Sequence, residues 1–253
     1  MEWRGTGIVL GTRKHSEADV ILEVMTPDRG RHLGLVRGGR SRRQQPFLQP
    51  GNELQLTWRA RLPEHLGTFT TEPLKQRAAD LMTSALGLHG VQHLASLLRL
   101  LPERDSHARL FEAFTIVLDH LDRFEIVGPL LIRFELELLN ELGFGLDLSS
   151  CAATATTSDL AWVSPRSARA VCRDAGEPYR DKLLPLPSFL VEGQRQPGSE
   201  ITYRDLQDGF RLTSFFLNRS VYEPRELKDG GMREALLGTL EKQYRTQFPW
   251  NFD

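Results

Sequence analysis

The chain has 253 residues, 40% of them hydrophobic and 26% charged, with a net charge of −1. That length sets one large domain or two smaller ones, and no apolar run approaches the roughly 20 residues a membrane helix needs. Two cysteines, Cys151 and Cys172, are too few for a disulfide framework. The first residues carry no secretory pattern, so a cytoplasmic address with reduced thiols is expected. The near-zero net charge hides an asymmetry. Residues 1–80 carry 13 Lys and Arg against 9 Asp and Glu, a balance of +4, and the rest carry 19 against 24, a balance of −5. A basic first part is what a polyanion would meet.

Residues 4–73 read as a small β-domain. Strands are expected at 7–11, 20–25, 31–36, 53–61 and 67–71, with a polar turn over 13–16. Thr26-Pro27-Asp28-Arg29-Gly30 and Pro50-Gly51-Asn52 supply turn chemistry, a preset φ from proline and a permitted positive φ from glycine. The fourth strand alternates, with Leu54, Leu56, Trp58 and Ala60 on one face and Arg59 and Arg61 on the other. Five short strands in so few residues fit a closed barrel better than a sheet with two bare edges.

From about residue 75 the period becomes 3.6. Ala78, Ala79, Met82, Ala85 and Leu86 line a first helix face, and Leu88, Val91, Leu94, Ala95, Leu98 and Leu101 a second, broken at Pro102. A third helix is expected over 106–124. A fourth is expected from Pro129, a favoured first position, to Gly143, a natural residue after a helix end. These stripes read as bundle core. Residues 147–195 differ: Cys151 opens a small polar run, 162–164 reads as a short strand, 168–175 as a strand or short helix, and Leu184-Pro185-Leu186-Pro187 as a rigid connector. Helices are expected again over 203–218 and 232–248.

No nucleophile elbow, phosphate-binding glycine loop or zinc-protease motif is present. His89 and His93 share a helix face but lack a partner nearby in sequence, so neither a catalytic nor a metal site is expected. What stands out is the segment 29–61, with eight arginines against one acid, Glu53. Arg37, Arg40, Arg42 and Arg43 sit in a glycine-bearing run between two strands, read as a mobile cationic loop able to follow a phosphate backbone. Lys14, Arg29, Arg31, Arg59 and Arg61 are placed on the adjoining barrel face. Phe47 is the candidate for stacking on a base, and Trp58 is read as core. The alternative for the whole run is a solvated surface loop.

A basic N-terminal barrel, the run Val36-Arg37-Gly38-Gly39-Arg40, the Pro50-Gly51 turn, a helical body and a cysteine-bearing insertion between helices together resemble the RecO recombination-mediator family. The resemblance covers essentially the whole chain. It implies an α+β protein: a five-stranded OB-fold over 1–76, and a helical domain over 77–253 holding a degenerate zinc-finger-like insertion over 147–195. It also implies a non-enzymatic, cofactor-free role in recombinational DNA repair, in the nucleoid-associated cytoplasm. Such proteins bind single- and double-stranded DNA and anneal strands. They work with RecR, engage the acidic-hydrophobic C-terminal tail of the single-stranded DNA-binding protein, and so help load RecA. Arg133, Arg211 and Arg219 are candidate cations for that tail. Some members hold zinc on two C-x-x-C pairs. Here Thr154 and Ala175 stand where the second thiolates would be, so no bound zinc is expected. A protein–protein adaptor and an RNA-binding OB protein of the translation apparatus remain the alternatives.

Overall fold

The computed structural model describes residues 1–194, 200–228 and 230–248. Strands β1 (Glu2–Lys14), β2 (Val20–Thr26), β3 (Gly30–Val36), β4 (Glu53–Arg59) and β5 (Thr68–Lys75) close as a barrel in the order β1-β2-β3-β5-β4. One long strand makes the closure possible. The first half of β1 pairs with β4, Glu2 opposite Arg59 and Ile8 opposite Glu53. Its second half pairs with β2, Lys14 opposite Val20, after a register shift between Val9 and Gly11. The sequence places the end of this strand at residue 11. Pairing to β2 carries it on through Arg13 and Lys14, polar residues that do not by themselves signal a strand. Between β2 and β3 the register runs from Val20 opposite Val36 to Thr26 opposite Gly30. Gly34 is required in β3, because a side chain there would meet the Phe69 ring at 2.4 Å.

Val9, Leu22, Val24, Leu54, Leu56, Trp58 and Phe69 fill the barrel, and Leu48 plugs it from the 37–50 connection. Asn52 ties that connection down. Its amide donates to the carbonyls of Pro46 at 3.0 Å and Phe47 at 3.1 Å, and its Oδ1 accepts the Ala78 N–H at 2.9 Å. Three hydrogen bonds at a side chain only 1% exposed leave orphaned polar groups if it is removed. Asn52→Ala is expected to lower unfolding free energy by about 2 kcal/mol, read from the midpoint of a denaturant melt.

Helices α1 (Ala78–Leu81), α2 (Ala85–Leu98) and α3 (Ala108–Leu118) belong with the barrel to one compact unit, Met1–Asp122 with Met232–Leu236. Ser84 caps α2 by accepting the Gly87 N–H at 3.0 Å. This restart shifts the helical phase, so Met82 and Leu88, expected in the apolar stripes, are exposed instead.

The second unit takes Arg123–Gly231 and the chain from Leu237. Helix α4 (Phe124–Glu141) begins before the expected start, and Pro129 lies inside it. Phe124, Val127 and Gly128 are buried in this unit, and that burial outweighs the hydrogen bond the proline cannot donate. Strands β6 (Leu160–Val163), β7 (Ala170–Cys172) and β8 (Leu184–Pro185) form a sheet in the order β7-β6-β8. The short helix α5 (Arg173–Gly176) follows β7, and the expected connector at Leu184 and Pro185 is a strand edge. The expected end of the insertion at residue 195 lies outside the described residues. Helix α6 (Tyr203–Leu217) opens on a capping box between Thr202 and Asp205, and α7 spans Met232–Gln247. Helices α4 and α6 meet through two glycines. A side chain at Gly128 would strike Leu206 at 2.8 Å, and one at Gly209 would strike Ile132 at 2.7 Å. No described helix is long and apolar enough to cross a membrane.

Candidate nucleic-acid interface

The 37–50 connection is not the loose loop its glycines suggest. It winds through successive turns, with Ser41 N–H donating to Gly38 O at 2.9 Å, Gln45 N–H to Ser41 O at 3.0 Å and Phe47 N–H to Gln44 O at 3.0 Å. Gly38 N–H donates to Asp19 Oδ1 at 2.9 Å, and Arg40 N–H to Ala18 O at 3.0 Å. Gly39 is buried against Val20. The turns leave Arg37, Arg40, Arg42 and Arg43 all exposed. They form a fixed cationic ridge, which costs less ordering entropy on binding than a mobile loop would.

Beside this ridge lies an open groove of about 320 Å³, lined by Thr12, Lys14, Val20, Gly39, Arg40, Gln45, Leu48 and Gln49. The extension of β1 brings Lys14 to it, and the turn at Gly39 brings Arg40. The Arg40 guanidinium also donates to Glu17 O at 2.7 Å and Ser16 O at 3.3 Å, which fixes its direction. Thr12, Gln45 and Gln49 add neutral hydrogen-bonding groups that charge counting along the sequence does not single out.

Arg29 is exposed and lies 5.2 Å above the Trp3 ring. Trp3 in turn stacks on Trp58 at 6.2 Å, and Arg104 lies 5.9 Å from the Trp58 ring. His32 is enclosed by these rings, with Trp58 at 5.1 Å and Trp3 at 5.2 Å edge-on. Burial, and then the nearby charges of Arg104 and Arg29, push the His32 imidazole down to about 4. It is therefore neutral at neutral pH. Trp58 is core as expected, with its indole N–H bound to Leu66 O at 3.0 Å.

Other expected contacts are engaged within the protein. Arg31 bonds Glu23 Oε1 at 2.8 Å and Leu101 O at 3.2 Å. Arg99 takes the other Glu23 oxygen at 2.8 Å. Arg31 thus closes a half-buried ion triad and is not turned towards a ligand. Arg59 is exposed but holds Glu2 through two bonds, at 2.9 and 3.3 Å, and this pairing keeps the Glu2 carboxyl below its usual range. Arg61 is exposed just beyond the end of β4. Phe47 is partly buried against the barrel core, so its ring is packing, which leaves little face for a base.

In the second unit, Arg133, Leu136, Glu137, Asn140, Leu146, Leu148 and Leu190 line a groove of about 290 Å³. Arg133 donates to Phe189 O at its edge. Arg219 donates to Pro165 O and lies 5.9 Å from the Phe215 ring, and Arg211 is exposed on α6. Neither Arg211 nor Arg219 lines that groove. Cys151 and Cys172 are both buried. Among the described residues no group of three or more His, Cys, Asp or Glu could hold a metal ion.

Two family profiles match the chain: "Recombination protein O N terminal" over residues 1–77 and "Recombination protein O C terminal" over residues 85–228. It is 57% identical to the DNA repair protein RecO of Mesorhizobium japonicum over 247 residues, 98% of this chain and 96% of the relative. It is 53% identical to that of Sinorhizobium medicae, covering 97% of each chain. With that of Chelativorans sp. it is 56% identical over 95% of this chain and 96% of the relative.

Proposed function

The chain belongs to the RecO family, and on that premise we propose that it is a DNA-binding mediator of recombinational DNA repair. In this reading residues 1–76 are an OB-fold that holds single- and double-stranded DNA, and residues 77–253 are the helical domain with its insertion at 147–195. The protein anneals complementary strands and, with RecR, helps RecA onto DNA coated by the single-stranded DNA-binding protein. It acts in the cytoplasm at the nucleoid. The observation that carries the reading is the ridge of Arg37, Arg40, Arg42 and Arg43, exposed on a turn-built segment beside a groove that also receives Lys14. Arg29 on Trp3 extends the cationic face with a planar group able to stack. Arg61 lies free of β4 for a further phosphate, while Arg31 and Arg59 serve mainly their carboxylates. A competition between single-stranded DNA and structured RNA of equal length, run at several salt concentrations, tests this. Preference for DNA with a steep salt dependence is expected. Preference for the RNA would favour the translation-apparatus alternative, and weak binding of both at low salt would favour an adaptor.

The partner tail belongs on the Arg133 groove. An acidic peptide ending in an aromatic residue needs an apolar slot with a cation at its edge. Leu136, Leu146, Leu148 and Leu190 supply the slot and Arg133 the cation. Arg133→Glu is expected to weaken binding of such a peptide by about tenfold, measured by fluorescence anisotropy with the full chain. Alanine at Arg42 and Arg43 should leave that affinity unchanged, and a loss there instead would move the tail site to the barrel.

A further inference from the structure

We propose that Cys151 and Cys172 form a dithiol that a small hydroperoxide oxidises to an intramolecular disulfide. The fold brings the two together from well-separated positions. Cys151 N–H donates to Thr156 O at 2.7 Å, and Ala152 N–H donates to Ala170 O at 2.8 Å, so the turn carrying Cys151 is pinned on β7. Cys172, the last residue of β7, then donates its own N–H to the Cys151 sulfur at 3.2 Å. The Thr154 hydroxyl lies 3.6 Å from the Cys172 sulfur and also hydrogen-bonds Cys151. Both sulfurs therefore face one hydroxyl. The Cys172 nitrogen that touches the Cys151 sulfur is three covalent bonds from its own sulfur. The proposal asks only for side-chain rotation, with β7 in place, to close the remaining gap between the sulfurs.

The pair is asymmetric, and the asymmetry assigns the roles. Burial pushes the Cys151 thiol up, but donation from the Thr154 hydroxyl and from the N–H groups of Cys172, Ala153 and Thr154 prevails and holds it at about 6. Cys151 is thus the thiolate nucleophile, and Cys172 is the resolving thiol. Both residues are buried, 1% and 7% exposed, so the oxidant proposed is a small peroxide and not a bulky disulfide reagent. In the first step the Cys151 thiolate attacks one peroxide oxygen. The S–O bond forms, the O–O bond breaks, and the departing hydroxide takes a proton, leaving a sulfenic acid and water. In the second step the Cys172 sulfur attacks the Cys151 sulfur. The S–S bond forms, the S–O bond breaks, and the Cys172 proton leaves with the hydroxide as a second water. Two thiols are oxidised and one peroxide is reduced. The product fastens the turn at 151–156 to β7 covalently, which restricts the unfolded chain and raises the thermal midpoint.

The chain has only these two cysteines, so the readout is direct. Full-length protein treated with hydrogen peroxide should fall from two titratable thiols to none. Proteolytic mapping should show Cys151 linked to Cys172 within one chain, and dithiothreitol should restore both thiols. Cys172→Ser should stop at a sulfenic acid on Cys151, trapped by dimedone. Thr154 is a positioning residue: Thr154→Val should slow oxidation by about fivefold while leaving the final thiol count unchanged. Should the cysteine variant fail to fold, mapping of the wild type decides alone. Two thiols persisting in excess peroxide, a disulfide that joins two chains, or stoichiometric zinc in the purified protein would each overturn the proposal.

Discussion

Replacing Arg40, Arg42 and Arg43 together with alanine is expected to weaken single-stranded DNA binding by roughly a hundredfold near 0.1 M salt, alike for all sequences. The three guanidiniums project from one turn-built ridge, and each can grip phosphate oxygens with a planar fork whose charge does not vary with working pH. Every phosphate neutralised on a single strand releases counterion, with a log–log salt slope of about −0.7 per contact. Loss of three contacts should make the measured slope shallower by about 2 units. Arg42 and Arg43 are exposed, and truncating them should change stability by less than about 0.5 kcal/mol. Arg40 differs, because its guanidinium also fastens the carbonyls of Ser16 and Glu17. The Arg42 and Arg43 double variant separates the two roles: it should show about two-thirds of the slope change with an unaltered melt. Full affinity and an unchanged slope in the folded triple variant would return the ridge to a solvated surface.

The parts of this site that were legible in the sequence are those set by local pattern. Period-2 alternation assigns Trp58 to the core, and the glycine and arginine content of 37–43 marks an exposed cationic connection. What the sequence hides are partners far along the chain. Nothing near Arg31 announces that Glu23 and Arg99 will enclose it, and an arginine in an ion triad reads in sequence like an arginine awaiting phosphate. Gly38 and Gly39 read as mobility. Their actual uses are a left-handed turn residue at Gly38, φ 64°, and close packing at Gly39, which lies against Val20 and Leu48, while Asn52, further on, locks the turn. Phe47 reads as a free aromatic because its covering core comes from other strands. Nothing local in the sequence marks Trp3, yet barrel closure sets it on Trp58 and under Arg29. The helix start at Phe124 was hidden for the converse reason: Pro129 is a strong local signal, and tertiary burial overrides it.

Acid should expose a further consequence of the aromatic enclosure. His32 is 3% exposed, and its imidazole titrates at about 4 in the fold against 6.5 ordinarily. The unfolded chain therefore takes up this proton first as pH falls. The contribution of neutral His32 is fully present above about 6.5 and is lost progressively down to about 4, a loss of about 3 kcal/mol. Asp119, held low beside Arg77 and Lys75 despite its partial burial, acts on the far side of that window, because its ordinary value is 3.8. Cys151 acts between about 6 and its ordinary 9.0, overlapping the top of that window, and does so equally in the wild type and in a His32 variant. His32→Phe keeps an aromatic among Trp3, Trp58 and Phe69 and removes the titration. Denaturant melts at pH 7, 6, 5 and 4 should show wild-type stability falling steeply across the range and the variant falling much less. Equal slopes in the two proteins would mean that His32 protonates without cost, and that the ring box of Trp3, Trp58 and Phe69 opens to water in solution.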